Sequence, residues 1–209
     1  LPCREELLAF ELDTLRENER ALLAERHLFN LNSLFDLESG LIVEKDEKFS
    51  VFVNSEDHLT FQAISGGLQL DETWKTVNEC DDLFATHLNY AFHDDYGYLT
   101  SSPANVGTGL KLTAYLDLSG LALTEQLNKF VHSARVLGMN VIAENSSEQD
   151  FTTARLFLST RRTLGIKEET ILQQFQDFVE DTVKAEKLAR QKLQADFPDR
   201  LEDHISRAY

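Results

Sequence analysis

The chain has 209 residues, enough for one ordinary domain. Its apolar fraction of 42% and charged fraction of 27% are close to globular averages, which excludes a wholly disordered, collagenous or coiled-coil chain. Asp and Glu total 36 against 20 Lys and Arg, a net charge of -16, which argues against nucleic acid and anionic membrane surfaces as partners. An anionic ligand needs a local basic pocket set against that background.

In chain order, residues 5–25 read as a helix, with Leu7, Leu8, Leu12, Leu15, Leu22 and Leu23 among charges. Leu41–Val43 and Phe49–Val53 flank the polar Asp46-Glu47-Lys48 and predict a hairpin, and His58–Ile64 predicts a further strand stopped by Gly66-Gly67. Residues 70–92 predict a helix through Trp74, Val77, Phe84, Leu88 and Ala91. Tyr98–Thr100 and Leu110–Leu118 read as strands around a Ser-, Pro- and Gly-rich loop. Residues 121–137 predict a second amphipathic helix, ended by Gly138. Met139–Ala143 and Arg155–Leu158 read as strands around the polar loop 144–153. A last helix over about 168–194 presents Ile171, Phe175, Phe178, Val179, Val183 and Leu188 on one face.

Strands and helices with hairpin-length links predict an α+β domain with an antiparallel sheet. Residues 41–64 and 98–118 are expected in one sheet, with the three long helices on one face. Two cysteines, Cys3 and Cys80, form no Cys-x-x-Cys pair, which favours a reducing, cytoplasmic compartment. No apolar stretch approaches the ~20 residues of a membrane span, and no signal peptide is visible. The start at Leu1 and the stop at Tyr209 read as a piece of a longer protein, with 198–209 a linker or the start of a further domain.

Three clusters carry chemistry. Asn54-Ser55-Glu56-Asp57-His58 follows a strand and can supply a general base, an orienting carboxylate or a metal site; it can equally be a polar turn between hairpin strands. The loop from Gly97 to Gly109 offers backbone amides to an anion or simply connects two strands. It has neither the Gly-Lys of a phosphate-binding Walker loop nor a Gly-x-Ser-x-Gly elbow. His93-Asp94-Asp95 is either metal-ligating or a solvated helix terminus.

Taken in order, these segments resemble the catalytic domain of the ATP:guanido phosphotransferases, and within it the bacterial protein-arginine kinases. Asn54-Ser55-Glu56-Asp57-His58-Leu59 resembles the family's Asn-Glu-Glu-Asp-His-Leu-Arg motif. Gly97-Tyr98-Leu99-Thr100 followed by Pro103-Ala104-Asn105-Val106-Gly107-Thr108 resembles Gly-Tyr-Leu-Thr-x-Cys-Pro-Thr-Asn-x-Gly-Thr. Arg161-Arg162-Thr163-Leu164-Gly165 resembles the stretch before the family's last long helix. Glu25-Arg26-His27-Leu28 resembles the segment whose His packs on the adenine. Residues 201–209 resemble the start of a phosphoarginine-binding domain.

The resemblance implies a saddle-shaped antiparallel sheet flanked by helices, as in guanido kinases and glutamine synthetase. It implies a partial catalytic domain over 1–197, and Mg-ATP with the Mg held by phosphates and water. The implied activity is phosphoryl transfer to arginine guanidinium groups of proteins, linked to regulated protein degradation. Protein substrates with exposed arginine are the implied partners; an activator, a protease–chaperone partner and an oligomer are compatible with it. Glu56 matches the carboxylate that aligns the guanidinium and accepts its proton, Ser102 matches the reactive Cys, and Glu148 or Asp150 matches a second guanidinium-binding acid. His27, His58, Asn105 and Lys111 match nucleotide-binding positions. Glu56, His58, Ser102, Asn105 and Lys111 are expected to line the concave face of the sheet.

The departures from the family pattern concern charge. Thr60 stands where the family has a phosphate-binding Arg, and Lys111 replaces another, losing the bidentate fork. No Lys or Arg occurs between Thr76 and Leu110 or between Val136 and Ala154. The family's Arg-rich N-terminal nucleotide segment has no counterpart in the chain. Each charge-assisted contact is worth roughly 1.5–3 kcal/mol. Two readings follow: a protein-arginine kinase, or a degenerate relative that acts as a protein-binding adaptor.

Overall fold

Leu41-Ile42-Val43 and Val51-Phe52-Val53 are apolar at every position, so strands made from them need cover on both faces. The computed structural model describes residues 7–28, 39–144 and 154–196, and the chain divides into two compact units, Leu1–Gly109 and Leu110–Tyr209. In the first unit, β1 (Leu7–Glu11), β2 (Gly40–Glu44), β3 (Phe49–Val53) and β4 (Leu59–Ala63) form an antiparallel sheet in that order. Leu41 lies opposite Phe10 and Phe52, and Val51 opposite Ile42 and Phe61.

Both faces are covered. Leu12, Leu28, Leu41, Val43 and Phe52 cluster on one, with Leu23 and Ala24 of helix α1 (Glu17–Glu25) against them. Phe49, Val51 and Cys80 cluster on the other, joined by Phe61 and Phe84, whose rings meet edge to face at 5.0 Å. Cys80 and Phe84 come from helix α2 (Leu70–Ala85). Each buried side chain of this size stabilises the unit by about 1.5–3 kcal/mol.

Residues 5–25 are therefore not one helix. Leu7–Glu11 pairs with the free edge of β2, which satisfies its backbone and brings Phe10 and Leu12 to the core. The helix starts only after Arg16, whose backbone N–H donates to Glu19 Oε2 at 2.9 Å while its guanidinium meets Glu19 Oε1 at 2.8 Å. Helix α2 also stops short of residue 92. The Thr86 hydroxyl donates to the Leu83 carbonyl at 2.7 Å, and Leu88 lies exposed beyond the end.

Residues 41–64 and 98–118 do not share one hydrogen-bonded sheet. Gly97–Tyr98 (β6) pairs with Phe92–His93 (β5) as a two-stranded ribbon. Thr113–Asp117 (β7) lies in a three-stranded antiparallel sheet with β8 (Met139–Ala143) and β9 (Arg155–Thr160), ordered β7-β9-β8. Between them the chain turns back on itself. Gly97, Gly107 and Gly109 have positive φ, and Tyr98 and Gly107 exchange backbone hydrogen bonds of 2.8 and 3.1 Å. Helices α1 and α2 cover opposite faces of the first sheet.

In the second unit, Leu116, Met139, Val141, Ala143, Leu156 and Leu158 are buried, while Tyr115, Asn140 and Ile142 on alternate positions are exposed. The helix expected over 121–137 is two, α3 (Ser119–Leu123) and α4 (Leu127–Val136). Glu125 between them has φ 60°, a left-handed conformation that no helix tolerates. Helix α4 buries Leu127, Phe130, Val131 and Ala134, and Phe130 stacks on Phe178 at 5.7 Å.

Helix α5 (Glu168–Asp196) buries Ile171, Phe175, Val179, Thr182, Glu186, Ala189 and Leu193. That stripe, at steps of three and four, leaves Leu188 65% exposed, contrary to its expected place on the apolar face. It also puts a carboxylate in the core. Glu186 is 6% exposed and accepts hydrogen bonds from the Gly120 and Leu121 N–H groups at 2.7 and 2.9 Å and from Arg190 Nε at 2.5 Å. No described helix is long and apolar enough to cross a membrane.

Candidate active site

The turn between β3 and β4 is built by Asn54. Its φ of 52° is a conformation that Asn tolerates better than most residues. The Asn54 N–H donates to the His58 carbonyl at 2.9 Å and the Ser55 N–H to the Asp57 carbonyl at 3.1 Å. The Ser39 hydroxyl holds the Asn54 carbonyl from outside at 2.5 Å. These bonds fix three successive side chains with different fates. Glu56 and His58 are exposed, and Glu56 makes no hydrogen bond or ion pair among the described residues.

Asp57 is half-buried and reaches the Gly-rich loop. Its Oδ1 accepts from the Ser102 N–H at 2.9 Å, and its Oδ2 accepts from the Asn105 amide Nδ2 at 2.6 Å. The loop is shaped to receive it. Pro103–Asn105 forms one 3₁₀ turn, the Asn105 N–H donates to the Ser102 carbonyl at 3.0 Å, and the Thr100 hydroxyl donates to the same carbonyl at 2.7 Å. At its base, a Cβ on Gly97 would lie 2.6 Å from the Gly107 carbonyl oxygen, and Gly97 has φ 75°. Gly97→Ala is expected to destabilise the chain by at least about 1–2 kcal/mol from the backbone conformation alone. Urea unfolding of the two proteins measures it; an unchanged midpoint contradicts this packing.

Ser102 and Asn105 are thus tied to the turn that carries Glu56 by one carboxylate that was not among the expected site residues. The cluster of two acids and a His contained the signal, but not which acid would be tied up. His27 is exposed with φ 58°, and its carbonyl accepts from Gln62 Nε2 at 2.8 Å. Thr60 is exposed on β4 opposite Phe52. Glu148 and Asp150 lie outside the described residues. Cys80 is buried, and burial pushes its thiol up, which leaves it a core residue.

Lys111 lies in the second unit. Leu112 and Thr160 exchange hydrogen bonds of 2.9 Å, from the Leu112 N–H to the Thr160 hydroxyl and from the Thr160 N–H to the Leu112 carbonyl. Lys111 and Arg161 flank this contact in the chain, both exposed and neither with a hydrogen bond or ion pair among the described residues. On the same sheet the Tyr115 hydroxyl donates to Glu144 Oε1 at 2.6 Å, which holds the phenol above its ordinary range. Tyr115 also packs on Phe157 at 5.0 Å.

The profile of the ATP:guanido phosphotransferase C-terminal catalytic domain matches residues 4–189. The chain belongs to the ATP:guanido phosphotransferases. It is 37% identical over 207 residues to a protein-arginine kinase of Exiguobacterium sp., covering 97% of this chain and 59% of that one. It is 35% identical over 201 residues to a protein-arginine kinase of Geobacillus sp., covering 95% and 55%. The chain therefore spans little more than half the length of these relatives. Among solved structures, the duplicated taurocyamine kinase of Schistosoma mansoni, with bound transition-state-analogue components, aligns with a TM-score of 0.75 at 20% identity. That alignment covers 92% of this chain and 28% of that one. Lombricine kinase aligns with a TM-score of 0.70 at 16% identity, covering 93% and 56%. The guanido-phosphotransferase fold, α+β with antiparallel sheets flanked by helices, is shared with both.

Residues of this family member fit a nucleotide polyphosphate unevenly. The exposed cations Lys111 and Arg161 suit phosphate oxygens. The Gly-rich loop suits them less well, because the Ser102 amide and one Asn105 N–H are already given to Asp57, and no Lys or Arg lies between Thr76 and Leu110.

Proposed function

We propose that the protein transfers the γ-phosphoryl group of Mg-ATP to arginine guanidinium groups of proteins. The observation that carries this reading is the Asp57 bridge. It brings the family's acid-bearing turn and its Gly-rich loop together, with Glu56 left unengaged. Mg-ATP supplies the phosphoryl group, with the Mg held by phosphates and water. A guanidinium is a poor nucleophile because its lone pairs are delocalised and it stays protonated. Glu56 orients it and takes a proton from the attacking nitrogen. Ser102, in place of the family's Cys, borders the guanidinium, and Glu148 or Asp150 is assigned as the second guanidinium-binding acid. Lys111 and Arg161 hold phosphate charge, while His27, His58 and Asn105 contact the nucleotide. These roles follow the family resemblance, residue by residue, except that of Arg161, which follows from its exposure next to Thr160, the hydrogen-bonded neighbour of Leu112. The partners are cytoplasmic proteins with exposed arginine, and the chain works as the main part of a catalytic domain.

One observation favours the adaptor reading: no Lys or Arg lies between Thr76 and Leu110, and Thr60 lies exposed on β4 in place of an Arg. Thr60→Arg decides how much that matters. Restoring a cation there is expected to tighten Mg-ATP binding by about 1–3 kcal/mol, read by isothermal titration of the full-length protein. No heat of binding in either protein favours the adaptor.

A further inference from the structure

Two acids stand side by side at the candidate site, and the hydrogen bonds separate their roles. Glu56 is exposed and makes no hydrogen bond or ion pair among the described residues. Both carboxylate oxygens of Asp57 are engaged, Oδ1 by the Ser102 N–H and Oδ2 by Asn105 Nδ2, across 45 and 48 residues of chain. An acid whose two oxygens each hold a donor is badly placed to bind a guanidinium or take its proton. It is well placed to set a distance.

We propose that Asp57 is a positioning residue that locks the Gly-rich loop to the Glu56 turn, and that the Asp57–Asn105 pair fixes where Ser102 stands relative to Glu56. This rests on the kinase reading for its kinetic consequence, but not for its structural one. Within each segment the bonds are local. The turn is closed by Asn54 N–H to His58 O and Ser55 N–H to Asp57 O, and the loop by Asn105 N–H to Ser102 O. The Asp57 carboxylate supplies two side-chain bonds that join one segment to the other. Without it, each segment keeps its own shape and loses its register against the other. A misplacement of about 1 Å at a reacting centre costs on the order of a hundredfold in rate.

The test exchanges the two partners. Asp57→Asn sets two amides against each other, and Asn105→Asp sets two carboxylates 2.6 Å apart. The double variant, Asp57→Asn with Asn105→Asp, restores one donor and one acceptor. The amide oxygen at position 57 then accepts from the Ser102 N–H, and the amide nitrogen donates to the new carboxylate at position 105. With the full-length protein, Mg-ATP and an arginine-bearing peptide, each single variant is expected to lose about a hundredfold in kcat. KM for ATP should change less than about threefold in Asp57→Asn. The double variant should return to within about tenfold of wild type, better than either single. Hydrogen exchange of the peptide spanning 99–107 should rise in both single variants and fall back in the double.

Asp57→Asn with normal turnover and unchanged exchange overturns the proposal. So does a double variant that restores protection and KM for ATP but not turnover, because Asp57 would then act on the reactants itself. If the wild-type protein transfers no phosphoryl group, the kinase reading fails and the exchange measurement alone decides whether Asp57 holds the loop.

Discussion

Glu56→Gln is expected to lower phosphorylation of a protein arginine by about 10²–10⁴-fold, the range that a positioned general base contributes. The Gln side chain keeps the size and can still accept a hydrogen bond. It cannot take a proton, and its NH₂ repels a guanidinium N–H. Mg-ATP affinity should change little, because Glu56 is assigned to the acceptor and not to the phosphates. The split between lost turnover and kept nucleotide binding is the signature to look for. Because Glu56 is exposed and engages nothing among the described residues, its replacement should leave the melting temperature within about a degree or two. Lost activity accompanied by lost stability would point to a structural role.

Glu186→Ala is expected to be the most destabilising single change. The carboxylate is 6% exposed, and three donors converge on it. Two of them, the Gly120 and Leu121 N–H groups, stand at the start of α3, where no preceding turn can accept from them. The loss leaves these two buried donors unsatisfied at about 1–3 kcal/mol each, while the half-exposed Arg190 keeps Asp117 at 3.8 Å. The total comes to about 2–6 kcal/mol. Gly120 is bound to this arrangement, since a Cβ there would come within 2.9 Å of both Glu186 Oε1 and Arg190 Cγ. Urea unfolding of wild type and Glu186→Ala reads the difference; a loss under about 1 kcal/mol contradicts the geometry.

The strands from Leu41 to Ile64 were legible because continuous apolar runs flanked a polar turn, and helix α5 because its stripe repeats over 29 residues. Leu7–Glu11 was not. Leu7, Leu8, Leu12 and Leu15, at steps of one, four and three, fit a helix as well as a strand, and only pairing with Glu44 to Gly40 decides for the strand. The break at Glu125 was hidden for a similar reason, since nothing in Thr124-Glu125-Gln126 announces a positive φ. Leu188 was misplaced because Glu186, two residues before it, takes a core position that charge alone argues against.

At the site, the residue types were legible and their partnerships were not. Asn54 to His58 was visible as a cluster, yet its tie to Ser102 and Asn105 spans 45 and 48 residues and leaves no mark on local spacing. The contact between Leu112 and Thr160, which Lys111 and Arg161 flank, was equally invisible, because it joins segments 48 residues apart.

Transfer from Mg-ATP to a protein arginine is measured most directly as acid-labile phosphoarginine formed on a protein substrate, by the full-length protein and by its Glu56→Gln variant. Phosphoarginine is expected with the wild type, and a loss of at least about a hundredfold with the variant. No phosphoarginine from the wild type, together with no heat of Mg-ATP binding even in Thr60→Arg, would contradict the kinase assignment and leave a protein-binding adaptor.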